Sequence, residues 1–323
     1  MTSPESPAKW FTDSWQPFTL EAYLGGGLRG RAWRFREGPD NEQGQSRRFV
    51  VKYGHHAGDL LHLENEIKFA KSLYGQAHIA QLIVDGDDLR KPLAIPHDIP
   101  SEHRTFLVTE YLTNSELQRF LSQAACDRRT DAGILLLMPL GSLGVRTVLE
   151  TPGLFEPTTA THYQIYHGDL SNHLGNLMFG EFDEGEHHLV PVLKAIDFSE
   201  ATDNVNVMKN RLRRGITADT LTQGNIRSNI GIVMQSIYGH SISHSPARFF
   251  RYNRNLDEDI YYLATRCADP DHTKRPGVNE LYRIVHNATI RKTGPEHFQG
   301  KQFADWESDV KVKQFMDETL LSA

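Results

Sequence analysis

Hydrophobic spacing changes character at Thr113, from mostly short strand-like runs to mostly helical periods, and such a shift points to an α+β architecture in two parts. From Phe18 to Leu112 short apolar runs alternate with glycine or charged turns, and one helical stretch interrupts them. Beyond Thr113, the segments Ser115–Ala125, Asn229–Tyr238, Leu256–Cys267 and Val278–Ala288 carry helical periodicity. The expectation is a small strand-rich part over 18–112 and a larger, mainly helical part over 113–290. Residues 1–17 read as a loosely held arm and 291–323 as a C-terminal extension.

Phe18 to Leu24 runs into a glycine cluster, Arg31 to Arg36 leaves it, and Phe49 to Tyr53 is a third β-rich run. Glu37 to Arg48 is polar, contains Gly38, Pro39 and Gly44, and predicts a hairpin loop. Leu60, Leu61, Leu63, Ile67, Ala70 and Leu73 recur at steps near three and four, predicting an amphipathic helix over Asp59–Leu73 with Asp59 as its cap. Thr105 to Leu112 predicts another strand. Ser115 reads as the cap of a helix whose apolar residues are Leu117, Phe120 and Leu121. Ile134 to Met138 fits either a strand or a buried helix segment.

Composition enters through what it excludes. Lys and Arg total 35 against 41 Asp and Glu, and the net charge of −6 is interspersed, so no basic field draws in nucleic acid or an anionic membrane. The strongest apolar run, Gly133 to Leu140, is broken by Pro139 and falls far short of the ~20 residues a bilayer needs. Cys126 and Cys267 are far apart and form no Cys-x-x-Cys pair, which excludes a cysteine zinc ribbon and fits a reducing compartment. Met1 to Trp15 lacks the apolar stretch of a secretory signal. Together these features imply an intracellular protein, cytoplasmic or nuclear, with neither nucleic acid nor membrane as its partner.

Gly25, Gly27 and Gly30 form Gly-x-Gly-x-x-Gly, and the alternating run Arg31 to Arg36 follows as a strand rather than a helix. A strand-glycine-strand hairpin suits a lid over nucleotide phosphates, because missing side chains let backbone N–H groups approach the oxygens. Lys52 ends the apolar run Phe49-Val50-Val51, and a lysine there is costly unless a carboxylate pairs with it. Glu64 and Glu66 compete for that role; Glu66 is preferred because Leu63 and Ile67 flank it on the buried side. The most specific segment is Tyr166 to Phe179, holding Asp169 and Asn176, followed by Leu193 to Ser199, holding Asp197. Two aspartates and an asparagine after short apolar strands suit phosphoryl transfer: one carboxylate orients the attacking hydroxyl, and the other holds Mg²⁺ together with an amide.

In this order the residues resemble the eukaryotic protein-kinase family over about Phe18 to Ala288. Gly25, Gly27 and Gly30 resemble the glycine-rich loop, Phe49 to Lys52 the lysine strand, and Glu66 the helix partner of that lysine. Thr109-Glu110-Tyr111-Leu112 is similar to the gatekeeper and hinge, implying that the backbone of Glu110 and Leu112 binds adenine. His167-Gly168-Asp169-Leu170 resembles the catalytic loop, and Ile196-Asp197-Phe198-Ser199 the metal-binding motif. Asp269 to Pro276 is similar to a late family signature and places Arg275 in the second lobe.

The resemblance implies a bilobal protein-kinase-like fold with a small β-rich N-lobe and a larger, mainly α C-lobe. It implies an ATP- and Mg²⁺-dependent kinase acting on Ser or Thr of a protein substrate. Catalysis falls to Asp169, Lys52 and Glu66, nucleotide binding to Gly25, Gly27, Gly30, Lys52, Glu110 and Leu112, and metal binding to Asp197 and Asn176, with Asn172 as the alternative amide. Gly168 stands in place of the usual arginine, Ser171 of the usual lysine and Ser199 of the usual glycine. Ser171 favours a small-molecule kinase of the same fold, while Ser199 and the unrecognisable alanine-proline-glutamate element favour a pseudokinase that binds nucleotide or partners without turnover.

Overall fold

Alternation along three neighbouring strands sorts aromatic from charged side chains in the computed structural model. It describes residues 18–27, 30–38, 46–54, 57–85, 106–126, 165–167, 169, 174–183, 189–203, 262–263, 266–267, 269–277, 280, 283–284 and 308–321. Strands β1 (Phe18–Gly27) and β2 (Gly30–Glu37) form an antiparallel hairpin, and β2 pairs with β3 (Arg48–Tyr53). Trp33 and Phe35 lie opposite Val51 and Phe49, all buried, whereas Ala32, Arg34 and Arg36 lie opposite Lys52, Val50 and Arg48. Successive side chains leave a strand on opposite faces, so the first set builds the core and Lys52 belongs to the other face. The Trp33 and Tyr53 rings stack at 4.6 Å, and Phe49 meets Phe18 edge-on at 5.2 Å. Such pairs add ~0.5–1.5 kcal/mol each beyond the area they bury. On the Lys52 face, a bulge between Leu20 and Ala22 presents Glu21 to Arg34 and Arg48, each at 2.9 Å, and to Arg36 at 3.7 Å.

Helix α1 (Ala57–Ser72) begins two residues before the expected start. Asp59 therefore lies inside the first turn rather than at the cap, where its charge still favours the positive end of the helix dipole. Leu63, Glu66, Phe69, Ala70 and Leu73 form its buried stripe, and Glu64 is exposed. Two further strands, β4 (Leu82–Asp85) and β5 (Phe106–Glu110), complete an antiparallel sheet in the order β1-β2-β3-β5-β4. The expected strand at Thr105–Leu112 is β5, which ends at Glu110; Thr105 lies outside the described residues. β4 was not expected: four residues with no polar alternation carry no period to read.

The chain divides into two compact units. One is drawn from Met1–Gly75, Ala80–Tyr111 and Asp197–Ala201, the other from Gln76–Ile79, Leu112–Ile196 and Thr202–Ala323. In the second unit, α2 (Leu117–Cys126) starts after Glu116, and Ser115 does not cap it: its hydroxyl has no hydrogen-bond partner. The Ser115 carbonyl instead accepts from the Phe179 N–H at 3.1 Å. The short strands β6 (Ile165–Tyr166) and β9 (Thr202–Asp203) pair, as do β7 (Leu177–Phe179) and β8 (Leu193–Ala195). Phe120 of α2 packs on Phe179 at 5.3 Å and on Phe315 at 5.9 Å. Phe315 belongs to α3 (Asp309–Met316), so the segment expected as an extension joins the core of this unit, with Val312, Met316 and Leu320 buried.

Of the expected later helices, residues 262–263, 266–267, 280 and 283–284 are helical. Asn229–Tyr238 and Ile134–Met138 lie outside the described residues. The fold is thus mixed α+β with an antiparallel sheet. Among the described residues no helix is long and apolar enough to cross a membrane.

Candidate functional site

In the first unit, β3 and α1 bring Lys52 and Glu66 together. The ammonium lies 2.6 Å from Glu66 Oε2 and 2.9 Å from Asp197 Oδ1. Period-2 geometry puts Lys52 off the aromatic face, and the helical stripe puts Glu66 three residues after the buried Leu63. Glu64, the competing candidate, faces away. One cation between two carboxylates leaves the cluster with an excess negative charge. Burial pulls the Lys52 pKa down, but Glu66 and Asp197 outweigh it and the ammonium is held above its usual range. Burial pushes Glu66 up to about 7 against the opposing pull of Lys52. Asp197 shows the reverse balance: burial would raise it, but Lys52 and the hydrogen bonds from Ser199 bring it to about 2.

Asp197 is the one described non-glycine residue with positive φ, at φ 58° and ψ 72°. Aspartate visits this left-handed region more readily than most residues, yet the conformation still costs on the order of 1–3 kcal/mol unless its surroundings enforce it. It caps the 3₁₀ turn Phe198–Glu200, and its Oδ1 accepts from the Ser199 N–H at 3.4 Å. Both this bond and the Lys52 contact fall on Oδ1. The turn is also held from α1. Asn65 Nδ2 donates to the carbonyls of Ser199 at 3.0 Å and Ala201 at 2.8 Å, and His62 Nδ1 lies 3.1 Å from Glu200. Asn65 was missed in the sequence, where a polar residue beside Glu66 carries no signal of a backbone partner so far along the chain.

The three glycines lie at the end of the β1–β2 hairpin, where Gly27 pairs with Gly30 and residues 28 and 29 lie outside the described set. Gly25 and Gly30 hold φ of +145° and +125°, and a Cβ on Gly30 would meet the Tyr53 carbonyl oxygen at 2.9 Å. Only glycine accommodates both demands. Glu110 closes β5; its N–H donates to the Gln81 carbonyl at 2.9 Å and its carboxylate accepts the Gln81 N–H at 2.7 Å. Beside it, Tyr111 accepts a bond from Arg34 Nη1 at 2.9 Å. Leu112, the other expected adenine-binding residue, is buried and opens the second unit.

In the second unit, Asp169 follows β6 and is buried. Asn176 ends the 3₁₀ turn Leu174–Asn176 and precedes β7, which corrects the expectation that it would follow a strand. Its Nδ2 donates to the Asp169 carbonyl at 3.1 Å and to Asp169 Oδ2 at 3.3 Å. With the amide nitrogen committed in this way, the amide oxygen is the atom left to act as a ligand. His167, also buried, donates from Nε2 to the Ile196 carbonyl at 2.8 Å, which fixes its tautomer. The Ile196 N–H in turn donates to the Asn176 carbonyl at 3.0 Å. Gly168, Ser171 and Asn172 lie outside the described residues. Arg275 donates to the carbonyls of Asp269 at 2.8 Å and Pro270 at 3.2 Å, so that late motif folds onto itself.

The donor chemistry suits Mg²⁺. Among the described residues no three His, Cys, Asp or Glu side chains gather as a metal cage. Mg²⁺ takes hard oxygen ligands and, when bound with a nucleotide, uses one or two carboxylates plus phosphates. Taken each within its own unit, the Asp197 carboxylate and the Asn176 amide oxygen are hard oxygen donors of that kind. The sequence matches no protein-family model and is similar to no curated protein.

Proposed function

We propose that this protein is an ATP-dependent phosphotransferase with a bilobal protein-kinase-like fold, acting on a Ser or Thr hydroxyl of a protein substrate. Lys52, anchored by Glu66, holds the α- and β-phosphates, and the hairpin of Gly25, Gly27 and Gly30 covers them. The backbone of Glu110 and Leu112 receives adenine. Asp197 and Asn176 hold Mg²⁺, which when bound neutralises charge on the transferring phosphoryl group. Asp169 orients the acceptor hydroxyl and takes its proton. The hydroxyl oxygen bonds to the γ-phosphorus, the bond to ADP breaks, and ADP leaves with that electron pair.

The observation that carries this reading is the left-handed Asp197, 2.9 Å from a Lys52 ammonium that Glu66 anchors from a helix. An ion cluster serving stability alone gains nothing from a strained backbone at one carboxylate. Incubation with γ-labelled ATP and Mg²⁺, against a Ser/Thr peptide library in one arm and amino alcohols and sugars in the other, tests it. Label in the peptides supports the reading, and label confined to the small molecules moves the acceptor class. Mg-ATP binding without transfer to any acceptor replaces the enzyme by a nucleotide-binding module, and no Mg-ATP binding at all overturns it.

A further inference from the structure

We infer that Asn65 is a positioning residue that holds Asp197 in the conformation able to take Mg²⁺, an assignment that rests on the phosphotransferase reading. The amide nitrogen of Asn65 carries two N–H donors, and both are used: on Ser199 at 3.0 Å and on Ala201 at 2.8 Å. Carbonyl oxygens only accept, so the amide orientation is forced and a carboxylate in its place would face two like partial charges. The two acceptors stand two residues apart on the turn that Asp197 caps. One side chain therefore sets both the curvature of the turn and its distance from α1.

Within the turn the Ser199 N–H donates to Asp197 at 3.4 Å, which is long, and the Ala201 N–H to the Phe198 carbonyl at 3.0 Å. The two bonds from Asn65 add a restraint from outside the turn, a clamp on the segment that follows Asp197. Asn65 is also the sequence neighbour of Glu66, so the helical turn that anchors Lys52 anchors the metal-binding carboxylate too. His62 to Glu200, one helical turn earlier, adds a more exposed contact on the same side. Without the clamp, Asp197 keeps its ion pair with Lys52 but loses the backbone geometry that directs its second oxygen. The loss therefore falls on magnesium rather than on the nucleotide.

Calorimetric titration of Mg²⁺ in the presence of ATP, and of ATP in a chelator, separates these effects for wild type, Asn65→Ala, Asn65→Asp and Asn65→Gln. A group that orients a metal ligand contributes about 10–100-fold in metal affinity. The Ala and Asp variants should need at least about tenfold more Mg²⁺ for half-saturation, with metal-free ATP affinity unchanged. The Gln variant, which keeps the donors, should recover part of the loss, and amide exchange across 197–201 should quicken in the Ala and Asp variants only. Should Asn65→Ala fail to fold, Asn65→Asp carries the same expectation at nearly constant volume. Unchanged magnesium dependence in a folded Ala or Asp variant overturns the inference alone. A wild type that binds no Mg-ATP overturns the phosphotransferase reading and this role with it.

Discussion

Glu66 reaches Lys52 at 2.6 Å from a buried position on α1, its side chain only 7% exposed. A buried pair of this kind contributes little net stability, yet breaking it from one side leaves a charge with nowhere to go. The arrangement suits a cation that must be held at a fixed place.

Lys52→Met should therefore cost stability as well as activity. Loss of the ammonium leaves Glu66 and Asp197 facing each other, at about 3–5 kcal/mol where Glu66 is ionised. Adding Glu66→Gln should restore most of the stability while phosphoryl transfer stays at least about 100-fold down in both variants, because the phosphate-positioning charge is still missing. Denaturant unfolding and transfer rates on the four corners of the cycle measure this. Activity recovered along with stability would remove Lys52 from the phosphate site.

The two carboxylates give opposite pH signatures. Glu66 is raised to about 7 in the folded protein, so between the ordinary glutamate range and pH 7 the native state binds more protons than the unfolded chain. Its contribution is full below that range and lost as pH rises through about 7. Asp197, lowered to about 2, contributes fully above the ordinary aspartate range and loses its contribution as pH falls through about 2. Stability should thus rise from pH 2 to about 4 and carry a declining component towards pH 7. Glu66→Gln should abolish that decline; an identical slope in the variant would show that the decline belongs to other groups.

What the sequence made legible follows from the range of each signal. Lys52, Glu66 and the hairpin glycines were readable because period-2 and helical spacing place side chains on faces within one element. Choosing Glu66 over Glu64 needed only Leu63 and Ile67 as neighbours. The start of α1, the missing Ser115 cap and the position of Asn176 before β7 depend on backbone bonds at element ends, where several residues compete for the same role. Asn65 depends on a partner more than 130 residues away. Composition and periodicity carry nothing of such a contact, and β4 was hidden because a run of four residues without polar alternation is too short to show a period.

Asp197 and Asp169 should prove separable. Asp197→Asn removes a charge from the metal ligand set and should weaken Mg-ATP binding and stop transfer together. Asp169, hydrogen-bonded by Asn176, is assigned by the proposed reading to the acceptor rather than the nucleotide, so Asp169→Asn should keep near-normal Mg-ATP affinity while transfer almost vanishes. Calorimetry and a rate assay on the three proteins decide it. If both variants lose Mg-ATP binding equally, Asp169 is a metal ligand and the base lies elsewhere.

The glycines of the hairpin should not be equivalent. An alanine at Gly25 adds only the strain of φ +145°, since nothing lies within 4 Å of the new Cβ. At Gly30 the new Cβ meets the Tyr53 carbonyl oxygen at 2.9 Å, and that backbone atom cannot swing away as a side-chain tip could. Relief requires β3 to shift, and Tyr53 is the residue next to Lys52. Gly25→Ala should accordingly cost about 1 kcal/mol, and Gly30→Ala roughly twice that. On the proposed reading the second variant should also weaken ATP binding in the absence of metal, because the displaced strand carries the Lys52 ammonium. Unfolding midpoints and ATP titration in a chelator check both halves. Equal losses at the two positions would mean that the hairpin absorbs the Gly30 clash without moving β3, and Lys52 would then be insulated from the glycine loop.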